Sequence, residues 1–325
     1  MSTWPISIDD VRAAETRIRP YLAPTPAFNY PLLDALVGHG TRVYVKHENF
    51  QPTNSFKIRN GMSYMTALPD AQRARGVVAA TRGNHGLGIA YAGRTFDVRT
   101  TICVPLGNNP EKNAGMRALG ARLIEQGRDY DEASRVADEI LQRDGATLAH
   151  STNDSNVLAG AATLTLELQQ QVPALDAMII AVGGGSQAVG ALTVLRALRP
   201  SARVFAVQAE GAAAAHDSFH AKRRIAYEQC DTFADGLATR SAYDLTFPPL
   251  LEGLAGFVTV TDAEIAQAMR DLIRITHSMV EGAGAAGLAG LRRLAPTLEG
   301  ATVGIIISGG NADEATLRRV LNREI

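Results

Sequence analysis

The sequence predicts an α/β protein built from mainly parallel sheets covered by helices. Three observations lead there: short β-branched runs recur along the whole chain, helix-period segments separate them, and several runs are apolar at every position. Continuous apolarity marks a strand buried on both faces, as in a parallel sheet with helices on either side. The strands are expected at Arg42–Lys46, Val77–Ala80, Thr101–Val104, Met178–Val182, Val204–Val207, Phe257–Val260 and Val303–Ile307. The helices are expected at Tyr130–Arg143, Val157–Gln171, Ala188–Leu198 and Asp262–His277, the last opening with Asp262 and Glu264 in its first turn. In such folds ligands bind at the carboxyl ends of strands.

A chain of 325 residues with 46% hydrophobic content is long enough for two packed lobes. Lys plus Arg total 32 against 33 for Asp plus Glu, a formal charge of -1, so neither nucleic acid nor an anionic membrane surface is an expected partner. The start, Met1 to Ile8, lacks a basic segment followed by an apolar core, and no later stretch reaches the roughly eighteen uncharged apolar residues of a membrane span. Cys103 and Cys230 belong to no CxxC or Cys/His cluster, which fits a reducing cytoplasm. No repeat, low-complexity tract or linker marks a domain boundary.

Four segments carry chemistry. In Lys46-His-Glu-Asn-Phe-Gln-Pro-Thr-Asn-Ser-Phe-Lys57-Ile-Arg-Asn60 a polar loop follows a strand and presents a lysine beside Ser55 and Phe56. Burial against an aromatic lowers a lysine's pKa, as a Schiff-base amine requires, though the same residue also reads as a surface lysine at a helix start. Ala80-Thr-Arg-Gly-Asn-His-Gly-Leu-Gly88 joins a strand to a helix whose N-terminus attracts a carboxylate; it reads equally as a tight turn capped by Asn84, with His85 either a base or structural. Ala181-Val-Gly-Gly-Gly-Ser-Gln-Ala-Val-Gly190 makes a phosphate cradle from successive amides at a helix start. Its Gly183-x-Gly185-x-x-Ala188, with Glu210 ending the next strand, also has the form of a dinucleotide fingerprint. Ile305-Ile-Ile-Ser-Gly-Gly-Asn311 ends a strand in a hydroxyl and two glycines, or in a plain turn.

Taken in order, these segments resemble the fold-type II pyridoxal-phosphate (PLP) enzymes of the serine/threonine dehydratase and serine racemase group, which share the tryptophan synthase β-like fold. The likeness runs from about Leu22 to the final helix. Ser55-Phe-Lys-x-Arg59 is similar to the lysine motif, Gly83-Asn-His85 to the substrate loop, Gly183-Gly-Gly-Ser186 to the phosphate loop and Ser308-Gly-Gly-Asn311 to the pyridine-nitrogen site. Asp235-Gly-Leu-Ala238 and Val280-Glu-Gly-Ala-Gly-Ala285 look like segments at the ring's other edge.

The resemblance implies that Lys57 carries PLP and acts as base at Cα. It places Phe56, Asn84, Gly236, Glu281 and Ser308 at the ring, and Gly183, Gly184, Gly185 and Ser186 at the phosphate. Ser55, Thr81, Arg82, Gly83 and His85 fall to the substrate. It further implies a large lobe of residues 1–75 and 151–325, a small lobe of 76–150, and a homodimer. The expected reaction converts an L-β-hydroxy-α-amino acid to a 2-oxo acid and ammonia. Threonine or serine is the default substrate, with phenylserine, hydroxyaspartate or a hydroxyectoine-derived amino acid as bulkier or more polar ones.

Departures qualify this. Arg82 stands where racemase-like members have a serine able to shuttle a proton, so racemisation is expected to be weak. Ser186 replaces a fourth glycine, Asn60 a glycine, and Gly86-Leu87 a polar pair. Glu210, the Ala214 carbonyl and Asp217 are the residues expected to hold a cation, Mg2+ or K+, if one binds. The chain stops soon after the last core helix, so neither a C-terminal regulatory domain nor feedback by isoleucine is expected. The rival readings are a nicotinamide-dependent oxidoreductase, which leaves Lys57 and Ser308 without work, and a non-catalytic PLP or amino-acid sensor.

Overall fold

The computed structural model describes residues 4–325; Met1–Thr3, part of the N-terminal segment read above, lie outside the described residues. Among these residues ten strands form two sheets. They are β1 (Ala27–Asn29), β2 (Arg42–His47), β3 (Val77–Ala80), β4 (Thr100–Val104), β5 (Arg122–Glu125), β6 (Thr147–Leu148), β7 (Ala177–Ala181), β8 (Arg203–Ala209), β9 (Gly256–Val260) and β10 (Thr302–Ile307). The larger sheet runs β1-β2-β10-β7-β8-β9, parallel except for the short antiparallel edge strand β1. The smaller runs β5-β4-β3-β6 and is wholly parallel. No described helix is long and apolar enough to cross a membrane.

The apolar runs have the expected cause. Ile179 and Ile305 enter one core with the helix Gly282–Leu294, while Met178, Ile180 and Ile306 enter another on the opposite face with the helix Ser186–Leu198. All seven expected strands form, within a residue or two at their ends. The four expected helices form as Tyr130–Asp144, Ser155–Gln171, Ser186–Leu198 and Asp262–Thr276, with His277 as a left-handed cap at φ 52°. Beyond them lie β1, β5 and β6, which are short or polar, and several helices, among them the one that begins at Lys57 and runs to Ala67.

Strand order determines where the loops meet. β2, β10 and β7 are neighbours, so the loops leaving their carboxyl ends, which carry Lys57, Ser308 and Gly183–Ser186, emerge side by side. In the smaller sheet β3 neighbours β6, which sets Thr81–His85 beside Ser151–Thr152. The helix Lys57–Ala67 is anchored by a fully enclosed ionic group. Arg59 donates to Glu48 at 2.8 and 2.9 Å and to Glu167 twice at 2.7 Å, and Lys46 donates to Glu167 at 2.8 Å. Two cations face two carboxylates, so no charge is left unpaired away from water.

Candidate active site

A cleft between the two sheets, with about 1220 Å³ of empty space continuous with solvent, is lined by Lys57, Phe56, Thr81–His85, Gly183–Ser186, Gly236, Glu281 and Ser308. The structure therefore brings together all but one of the residues expected at PLP and substrate. The exception is Ser55, which is fully buried, bridges through its backbone to Gly309 and does not line the cleft. Its hydroxyl has no partner.

Lys57 opens its helix, its amine 4.9 Å from the Phe56 ring centre and donating to the Ser151 carbonyl at 3.4 Å. Removal from water lowers its pKa to about 8, which puts a sizeable free-amine fraction within reach of neutral pH. His85 is buried more completely, and its pKa is pushed down to about 3 by desolvation, with the nearby Lys57 adding to the effect. It is a neutral imidazole. Its Nε2 lies 2.9 Å from the Ala149 carbonyl, an acceptor only, so Nε2 carries the proton and Nδ1 is a buried lone pair without a partner.

The glycine loop is shaped for an anion. A Cβ on Gly183 would lie 2.2 Å from the Gly236 carbonyl oxygen and one on Gly184 2.3 Å from Thr152 Oγ1, while Gly185 caps the next helix at φ +91°. The loop thus closes on its neighbours through bare backbone, and the first amides of Ser186–Leu198 have no partner within the helix. Thr246 steadies the loop by donating to the Gly184 carbonyl at 2.8 Å. Across the cleft Asn84 donates to Glu281 at 2.5 Å and accepts from Asn311 at 2.9 Å. Ser308, at the end of β10, is held by the Phe56 amide donating to its carbonyl at 3.0 Å.

An amine of lowered pKa, a backbone anion cradle and a hydroxyl on adjacent loops suit a phosphorylated aromatic aldehyde. The chain belongs to the pyridoxal-phosphate dependent enzymes, whose family model matches residues 18–309. Its cofactor is PLP. Among curated relatives, an L-threonine ammonia-lyase of Thermotoga maritima is 34% identical over 98% of this chain and 79% of its own length. An L-threo-3-hydroxyaspartate ammonia-lyase of Pseudomonas sp is 34% identical over 94% of this chain and 96% of its own. Maize serine racemase superposes with a TM-score of 0.92 at 31% identity, covering 99% of this chain and 98% of that one. The family match sets aside the nicotinamide reading of the glycine fingerprint.

Two of the expected cation ligands have partners within the protein. Asp217 accepts from Tyr227 at 2.5 Å and pairs with His216 at 2.7 Å, and the Ala214 carbonyl accepts from Ser218 at 2.6 Å. Two of the three expected ligands are thus engaged by protein donors, and no described group of three or more His, Cys, Asp or Glu side chains is placed to hold a metal.

Several cleft residues were not singled out from sequence. Lys112, Tyr130, Ser151, Thr152, Arg240 and Tyr243 all line it. Tyr130 and Tyr243 both have raised pKa values, chiefly through burial, and stay protonated. Arg240 reaches the small sheet's side, pairing with Asp129 at 3.6 Å and with Asp131. The one signal for any of these was the hydroxyl-rich run Ser151-Thr-Asn-Asp154, which stands between β6 and a capped helix in the same strand-loop-helix setting as the glycine loop.

Proposed function

We propose that the protein is an ammonia-lyase that converts an L-β-hydroxy-α-amino acid to a 2-oxo acid and ammonia. The observation that carries this is the poised Lys57 amine beside the glycine cradle and a hydroxyl, rather than a carboxylate, at Ser308. PLP supplies an aldehyde for the substrate amine and a conjugated ring that draws electron density from Cα. Lys57 takes the Cα proton and the Cβ–O bond breaks as the Cα–Cβ double bond forms, so that this proton and the departing hydroxide are lost together as one water. Ser308 would hydrogen-bond the ring nitrogen without giving it a full proton, which would favour early departure of the β-substituent. Thr81 and the amides at Asn84 and His85 hold the substrate carboxylate, and the released enamine hydrolyses in water. His85, uncharged and buried, serves by position rather than as the base.

Threonine and threo-3-hydroxyaspartate, named in the two relatives, head the substrate panel. Residues 76–150 form the small lobe, which closes on the larger one, and the enzyme works in the cytoplasm. A homodimer is supported by the exposed rings of Phe28 and Phe50, which pack on either side of the buried His47 ring. The deciding experiment is 2-oxo acid release from L-threo and L-erythro β-hydroxy amino acids by wild type and Lys57→Ala. Turnover by the wild type alone supports the reading. A protein that binds PLP yet turns over no member points to the sensor.

A further inference from the structure

We propose that Lys112 is a positioning residue of this site, one side chain that sets both how the Gly83 backbone lies in the cleft and how Asn84 is held, by joining the two sheets' sides through Glu281 and Asp235. The inference rests on the reading of the cleft given above.

Lys112 stands in the first turn of the helix Pro110–Ala118, between β4 and β5. That helix end is docked across the cleft: Asn109 donates to Asp313 at 3.0 Å, and Glu111 accepts from the Glu314 amide at 3.1 Å. The Lys112 side chain is 6% exposed, yet its amine lies 3.4 Å from Glu281 and 3.7 Å from Asp235. Burial works against the ammonium, but the two carboxylates outweigh it and the pKa is raised, so Lys112 is a cation at working pH.

The stem and the head of this side chain do different things. A Cβ on Gly83 would come 2.2 Å from Lys112 Cδ, and Gly83 has φ +154°, so the substrate loop rests its bare backbone on the lysine's methylenes. At the other end Glu281 divides its oxygens, one towards Lys112 and the other accepting from Asn84 at 2.5 Å. Asn311 takes the Asn84 carbonyl oxygen at 2.9 Å. The Asn84 amide is therefore fixed in orientation, with a second N–H that could serve the cofactor. Asp235 also reaches Arg82 at 4.0 Å, so both charged groups flanking Gly83 refer to one carboxylate of the larger sheet's side.

The test compares Lys112→Met, which keeps the stem and loses the charge, with wild type. Two readouts need no turnover: the position of the PLP absorbance band and the half-time of PLP loss on dilution. The expected result is a folded, PLP-bound variant with a shifted band, faster PLP loss and kcat/KM lower by about a hundredfold, in line with the loss of a charge-assisted contact. Unchanged band, release and kinetics would overturn the proposal. Should Lys112→Met fail to fold because Glu281 is stranded, Lys112→Met/Glu281→Gln removes that charge. This double variant is expected to fold and keep the defect; wild-type band and release in it would also overturn the proposal. A wild type with no turnover would count against the ammonia-lyase reading alone, because band and release still report on Lys112.

Discussion

The Lys57 amine donates to the Ser151 carbonyl across 3.4 Å, which ties the lysine loop of the larger sheet to the loop leaving β6 of the smaller. With little else to solvate it, the amine has its pKa lowered to about 8. The unfolded chain therefore binds more protons at Lys57 than the folded apoprotein between about pH 8 and the ordinary lysine value of 10.5. Stability rises with pH across that window, and below it the cost is present in full. Lys57→Met should stabilise the apoprotein at pH 7 by roughly 2 kcal/mol, a figure reduced for residual solvent contact, as read from urea unfolding. Capture of PLP by wild-type apoprotein should speed up as pH rises and level off above about 8, followed by absorbance; a rate independent of pH would contradict the assignment.

Gly184→Ala should lose PLP affinity while keeping the fold. The added methyl meets Thr152 Oγ1 at 2.3 Å, so the loop must move off its cradle position. A shift that lengthens two amide contacts to a phosphate is expected to weaken binding by about ten- to a hundredfold. Equilibrium titration of apoprotein with PLP measures this. The double variant Gly184→Ala/Thr152→Ser removes only the Thr152 methyl and should recover little, because the oxygen remains.

Arg59→Met should destabilise the protein by about 3–5 kcal/mol, since it strands Glu48 away from water and leaves Glu167 to Lys46 alone. Chemical denaturation of the apoprotein tests this apart from catalysis. Arg59→Lys should be nearly as damaging, because one ammonium cannot reproduce the fork that reaches both carboxylates.

Racemisation should be slow. Arg82 lines the cleft and leans towards Asp235 at 4.0 Å, and a guanidinium, which stays protonated, is a poor proton donor or acceptor at neutral pH. A positioned acid or base contributes about 10²–10⁴-fold to proton transfer, so reprotonation of Cα from the face opposite Lys57 should trail elimination by that margin. Chiral analysis of L-serine incubated with the enzyme in deuterated water measures it; D-serine formed as fast as pyruvate would refute the role given to Arg82.

The central strands were legible because both their faces are buried, so apolarity is continuous at Met178–Ile180 and Ile305–Ile307. β5 was not, since Arg122 and Glu125 are exposed and only Leu123 and Ile124 turn partly inward. The glycine loop and Lys57 showed in sequence because their chemistry demands bare backbone and an amine next to an aromatic. Lys112 did not, because its environment comes from Asp235 and Glu281, more than a hundred residues downstream. The expected cation site shows the converse limit of spacing. Its residues suit a ligand set in order, but Asp217 is turned to His216 and Tyr227 by partners that spacing does not disclose.

The position of β10 also bears on how the chain is made. It is the last strand synthesised, yet it lies in the interior of the larger sheet between β2 and β7. A nascent chain on the ribosome has two half-sheets with no shared neighbour until Thr302–Ile307 emerges. The Lys57 loop and the Gly183 loop cannot be aligned before then. PLP capture is therefore expected to follow the docking of β10, and a chain truncated shortly before Thr302 is expected to expose two open sheet edges to the cell's proteases and chaperones.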